Sequence, residues 1–151
     1  TQTIGILATK GTLSSALFHE NVAKHPDVTI IEQIGHGLVQ LIENGDLDSK
    51  EMNDLLESYL LPMVEKNIDY LVLGCSHYPY LIPQIKKIIP TTIKIIDSGE
   101  AVAKQTKKIL EERQLLNDSN NNASHIFYTN SNSEVLKKIV KPLESVFYKD
   151  F

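Results

Sequence analysis

Apolar and polar residues follow two rhythms along this chain. Short apolar runs closed by turn residues read as strands: Thr3 to Ala8, Val28 to Glu32, Asp69 to Leu73, Ile93 to Ile96 and His125 to Thr129. Between them lie segments with helical spacing. Leu13 to about Lys24 reads as a helix with Thr12 as its N-cap, after the polar turn Thr9-Lys10-Gly11-Thr12 and ahead of Pro26. Leu38 to Glu43 reads as a short helix between Gly35-His36-Gly37 and Asn44-Gly45. Asp48 or Ser49 caps a longer helix through about Lys66. Its Met52, Leu55, Leu56, Tyr59, Leu60, Met63 and Val64 keep the three-and-four spacing of one buried stripe, and Pro62 is a point of kinking. Leu81 to Ile89 is helical, and another helix follows Asp97-Ser98-Gly99-Glu100 to about Leu116. Asn117 to Asn122 is a polar loop, and a last helix runs from Glu134 to Tyr148, broken near Pro142. This alternation predicts parallel βαβ units, hence an α/β fold.

Composition narrows the class. The 151 residues are 42% hydrophobic and 23% charged with a net charge of -4, which suits a soluble domain with one core. Mild acidity and scattered lysines argue against nucleic acid as a partner. No apolar run has the length of a membrane span. The start, Thr1 to Leu7, has neither the basic region nor the long apolar core of a secretion signal. It also lacks a Met and enters a strand almost at once, as a piece of a longer protein would. A single cysteine excludes an internal disulfide framework and suits a reducing, cytoplasmic setting.

That cysteine sits in Leu73-Gly74-Cys75-Ser76-His77-Tyr78-Pro79, directly after the third strand. Side chains at the carboxyl end of a strand in an open α/β sheet face the crevice where ligands bind. An imidazole two residues from a thiol can share its site, and thiolate is the reactive form. The competing reading is a buried structural cysteine. Three strand ends offer polar groups to this crevice: Thr9 and Thr12; Cys75, Ser76 and His77; Asp97 and Ser98. Hydroxyls and helix N-termini suit a carboxylate ligand. Thr9 and Thr12 alone read as well as turn and cap residues. Asp97-Ser98-Gly99 reads as a turn and helix cap. His36, between two glycines, is either close to a ligand or a solvent-facing turn residue, and Glu43 by spacing alone is a solvated carboxylate. His36, Cys75 and His77 lack the paired spacing of zinc sites, so no metal is expected. There is no glycine-rich phosphate loop and no Gly-x-Ser-x-Gly elbow.

Taken together these residues resemble the glutamate racemases of the Asp/Glu racemase superfamily. The carriers are Gly74-Cys75-Ser76-His77-Tyr78-Pro79, where the family usually has Thr for Ser76, then Ile4 to Thr12, Asp97 to Ala103, and Leu38 to Glu43. The family carries a more apolar stretch, often with Cys-Pro, where this chain has Ile34-Gly35-His36-Gly37. The resemblance spans about residues 3 to 130. It implies a three-layer αβα domain with a parallel sheet over residues 1–97, the second domain of such an enzyme. Residues 98–151 would be a return segment completing a first domain absent here. It implies cofactor-independent interconversion of L- and D-glutamate for peptidoglycan synthesis, with two cysteines facing each other across the substrate α-carbon. By position Cys75 is the second of these, acting on L-glutamate. His77 would assist it, Glu43 would stand nearby, and Thr9, Thr12 and Ser76 would hold substrate. The first cysteine and its Asp partner belong to the missing half, so this chain alone is expected to be inactive. The implied partners are glutamate, that N-terminal half and a possible homodimer. The tail positions Phe127, Tyr128, Val146 and Phe147 would lack their usual cover, which predicts a mobile tail or a compensating oligomer. Two further readings stand beside this one: an aspartate racemase-like isomerase, and a non-catalytic carboxylate-binding domain.

Overall fold

In the computed structural model, which describes residues 2–117, 119, 122–140 and 145–151, two parallel sheets form. The larger has strands β1 (Thr3–Ala8), β2 (Thr29–Ile34), β3 (Tyr70–Gly74) and β4 (Lys94–Ile96) in the order β2-β1-β3-β4. Register pairs Thr3 with Thr29 and Ile4 with Tyr70, so β1 is hydrogen-bonded on both edges.

Strand alternation sends side chains to both faces. Leu7, Leu71 and Leu73 enter the main core with α3 (Leu38–Asn44), α4 (Lys50–Glu65) and α5 (Ile82–Ile88). Ile6 and Ala8 face the other way. There they meet Leu13 of α1 (Lys10–Leu13) and Phe18 of α2 (Ala16–Ala23). The sheet is thus a middle layer between helices, as the resemblance implied. Fully burying a leucine such as Leu7 or Leu71 contributes about 1.5–3 kcal/mol. The α4 stripe is buried at Met52, Leu56, Leu60 and Met63, with Leu55, Tyr59 and Val64 packed beside them. Ser49 caps α4 by accepting from Met52 N–H.

Three elements differ from expectation. The helix expected over residues 13–24 starts later, as α2 at Ala16, and the expected polar turn 9–12 is itself the short helix α1. Thr9, not Thr12, is the first N-cap, and the Ser15 hydroxyl takes over as a second cap on Phe18 N–H, so the chain restarts rather than continues. The helix α6 (Gly99–Glu112) ends earlier than Leu116. The long C-terminal helix is instead α7 (Ser133–Ile139) followed by the strand β6 (Val146–Tyr148). This strand pairs in parallel with β5 (Phe127–Thr129) as the second sheet. Val146-Phe147-Tyr148 is β-branched and aromatic, which favours strand over helix. Pro142, the expected break, lies outside the described residues, as does part of the expected 117–122 loop.

Candidate functional site

The strand order β2-β1-β3-β4 places a topological switch between β1 and β3. The chain leaves β1 towards one edge of the sheet and later leaves β3 towards the other. Open α/β sheets bind ligands at the carboxyl ends of strands at such a point. The two loops there are Thr9–Thr12 and Cys75–His77, and they touch. Thr12 Oγ1 donates to the Gly74 carbonyl at 3.1 Å, and Thr9 and Thr12 hydroxyls lie 3.0 Å apart. Thr12 has one hydroxyl proton and gives it to Gly74, so Thr9 is the donor in that pair. Gly74 must be glycine: a Cβ would stand 2.7 Å from Ala8 Cβ across the sheet.

Cys75 is half-buried and packs beside the main core. Its sulfur accepts from the backbone N–H of His77 at 3.4 Å, a donor able to solvate negative charge on sulfur. The imidazole itself turns elsewhere. Nε2 lies 3.1 Å from Glu43 Oε1, and Nδ1 lies 3.3 Å from Ser76 Oγ. A carboxylate only accepts, so Nε2 carries the proton and, in the neutral ring, Nδ1 accepts from the Ser76 hydroxyl. Residues 34 apart in sequence meet because α3 ends over the turn that follows β3.

The carboxyl end of β4 holds Asp97, whose Oδ1 accepts from Gly99 N–H at 2.7 Å ahead of α6; this is the turn and cap role read from the sequence. His36 is exposed on its turn, and its carbonyl accepts from Tyr59 Oη at 2.9 Å. Among the described residues no three His, Cys, Asp or Glu side chains are placed to hold a metal ion. No helix among them is long and apolar enough to cross a membrane.

A cavity of about 530 Å³ opens on the Glu43–His77 side, walled also by Ser76, Tyr80 and the turn from Thr129 to Asn132. Thr9, Thr12 and Cys75 do not line it. Sequence reasoning missed Tyr80 and the Thr129–Asn132 turn. It also missed Tyr59 and Tyr78 as partners of the turn before α3; the signal available was the glycine on each side of His36.

A family model described as Asp/Glu/hydantoin racemase matches residues 1–106. A glutamate racemase of Pseudomonas entomophila (strain L48) is 42% identical over 141 residues, covering 93% of this chain and 53% of that protein. One from Pseudomonas putida (strain W619) is 45% identical over 116 residues, covering 76% and 44% respectively. Among solved structures, a glutamate racemase isoform of Bacillus anthracis superposes with a TM-score of 0.78 at 28% identity, covering 99% of this chain and 58% of that one. The glutamate racemase of Francisella tularensis in complex with D-glutamate gives a TM-score of 0.79 at 26% identity, with the same coverage. The chain spans about half the length of the curated relatives it matches.

Proposed function

This chain belongs to the Asp/Glu/hydantoin racemase family, and we propose that it forms one half of a cofactor-independent glutamate racemase, with Cys75 as one of two opposed thiols. The observation that carries the reading is the join at the β1–β3 switch. There Thr12 grips the Gly74 carbonyl, and the next residue presents its sulfur to a backbone N–H, beside an imidazole paired to a carboxylate. On this reading the Cys75 thiolate removes the α-proton of L-glutamate, and a thiol from outside this chain returns a proton to the opposite face. The α-proton of an amino acid is weakly acidic, so fixed donors must stabilise the developing negative charge. The His77 backbone N–H keeps the thiolate oriented, the Glu43–His77–Ser76 chain fixes the loop and its proton positions, and the Thr9 and Thr12 hydroxyl oxygens, whose protons go to Thr12 and Gly74, accept from the substrate's ammonium group. Residues 1–97 are then the second domain, and residues 98–151 return to the first. The setting is the cytoplasm, the product D-glutamate serves peptidoglycan synthesis, and two such proteins form a homodimer.

The test is loss of the α-proton NMR signal of L- and D-glutamate in D2O. It is run with this chain, with Cys75→Ala, and with both after a racemase N-terminal half is added. Exchange in the reconstituted protein that vanishes in Cys75→Ala is the expected result. Exchange undiminished by Cys75→Ala, or none after reconstitution, overturns the assignment.

A further inference from the structure

Between β2 and α3 the chain passes through Gly35-His36-Gly37, and nothing of the usual kind anchors the start of α3. Gly37 occupies the N-cap with a left-handed φ of 80°, and no side chain caps the helix. Two tyrosine hydroxyls from separate elements hold this turn instead. Tyr78 Oη donates to the Gly35 carbonyl at 3.0 Å, and Tyr59 Oη, from α4, donates to the next carbonyl, that of His36, at 2.9 Å. Tyr78 is fully buried and Gly35 is buried, so that first bond is shielded from water. A Cβ on Gly35 would overlap Tyr78 Oη and stand 2.8 Å from Leu38 Cδ1, so the hydroxyl occupies the space that only glycine leaves.

The consequence lies in the chain order. Tyr78 follows His77 directly. One dipeptide therefore grips both ends of the segment 35–43: Tyr78 at Gly35, 3.0 Å, and His77 at Glu43, 3.1 Å. A helix as short as α3 is rigid over its length of about 10 Å, so fixing its first turn fixes the carboxylate on its last. We propose that Tyr78 is a positioning residue: its hydroxyl, with Tyr59 as the second anchor, holds the Gly35–His36 turn so that α3 delivers Glu43 to the His77 ring. Burial, with Cys75 and Tyr59 adding to it, raises the Tyr78 phenol well above its ordinary value, so the hydroxyl keeps the proton it donates. What this means for catalysis rests on the racemase reading; the Glu43–His77 pair itself does not.

The experiment reads that pair directly. The full chain is labelled with 15N-histidine, and the ring-nitrogen shifts of His77 are compared in the wild type, Glu43→Ala, Tyr78→Phe and Tyr59→Phe, each with its thermal melt. Glu43→Ala gives the shifts of the unpaired ring. Tyr78→Phe is expected to move the His77 shifts most of the way to those values, and Tyr59→Phe part of the way. Tyr78→Phe that folds and keeps wild-type His77 shifts, with only its melting temperature lowered, overturns the proposal. If Tyr78→Phe does not fold, Tyr59→Phe decides alone: shifts unchanged from wild type overturn the clamp, and a displacement towards Glu43→Ala supports it. Failure of the glutamate exchange test leaves these shifts untouched, so the two readings fail separately.

Discussion

The chain before residue 97 and the chain after it are folded on different terms. Among the described residues every buried apolar side chain except Val146 belongs to the first part, on the two faces of the four-stranded sheet. In the second part α6 buries no residue, and Val102, Leu115, Ile126, Tyr128, Phe147, Tyr148 and Phe151 are exposed. Among the described residues its ties to the rest include Ile139, which packs beside the main core, and the Thr129–Asn132 turn, which walls the cavity at His77. The first part thus holds itself together by burying apolar surface. The second has apolar surface, an amphipathic helix and a two-stranded parallel ribbon, and ribbons of that size are marginal in isolation. Stability and candidate chemistry reside in one region, and surface suited to contact in the other.

Substitutions sharpen this contrast in order of size. Leu71→Ala, in the central layer with no exposure, is expected to cost about 2–5 kcal/mol in urea unfolding. A cost below 1 kcal/mol would mean the sheet core is not where stability lies. Tyr78→Phe leaves the Gly35 carbonyl without its donor and is expected to cost about 1–3 kcal/mol near neutral pH. That cost depends on pH. The folded state holds the phenol above its ordinary 10.0, so the contribution is complete below that value. Above it the unfolded chain releases the proton first, and stability falls as pH rises towards the folded value. The gap between wild type and Tyr78→Phe should therefore hold constant up to about pH 10 and narrow as pH rises beyond it, because titrations of the other tyrosines and the lysines are common to both. A constant gap would contradict a buried neutral phenol. At the small end, Val102→Ser on α6 is expected to change stability by no more than about 0.5 kcal/mol. A larger loss would show that α6 is covered, for example by a second copy, and sedimentation of the same variant would then show fewer dimers.

The same division governs what could be read from sequence. β1 carries a short apolar run and α4 a strong periodic stripe reinforced by the Ser49 cap, and the structure has β1 over Thr3–Ala8 and α4 over Lys50–Glu65 as expected. In the three-residue strand β6 the β-branched and aromatic residues favour strand, but three residues are too few to show a period of two inside a helical pattern, and pairing with β5 settles the state. The Cys75 motif marks the loop that follows β3 at the β1–β3 switch, with His77 in it. That the imidazole turns to Glu43 and Ser76, while only its backbone N–H meets the sulfur, follows from where α3 ends over the β3 turn. No spacing rule spans those 34 residues. The Tyr78–Gly35 bond was equally hidden, although a glycine beside His36 hinted that something occupies its Cβ space.

The central place of β1 also has a cost in time. It pairs with β2 nearby in sequence, but its other edge waits for β3, with Ile4 opposite Tyr70. At the usual pace of synthesis those roughly 60 intervening residues take on the order of several seconds, during which one edge of an apolar strand stands open. Non-local parallel pairing is slow to form even in the finished chain. The emergence of Tyr70–Gly74, the strand that leads into the cysteine, therefore covers the open edge of β1, so the step that ends the exposure of β1 is the step that assembles the candidate site.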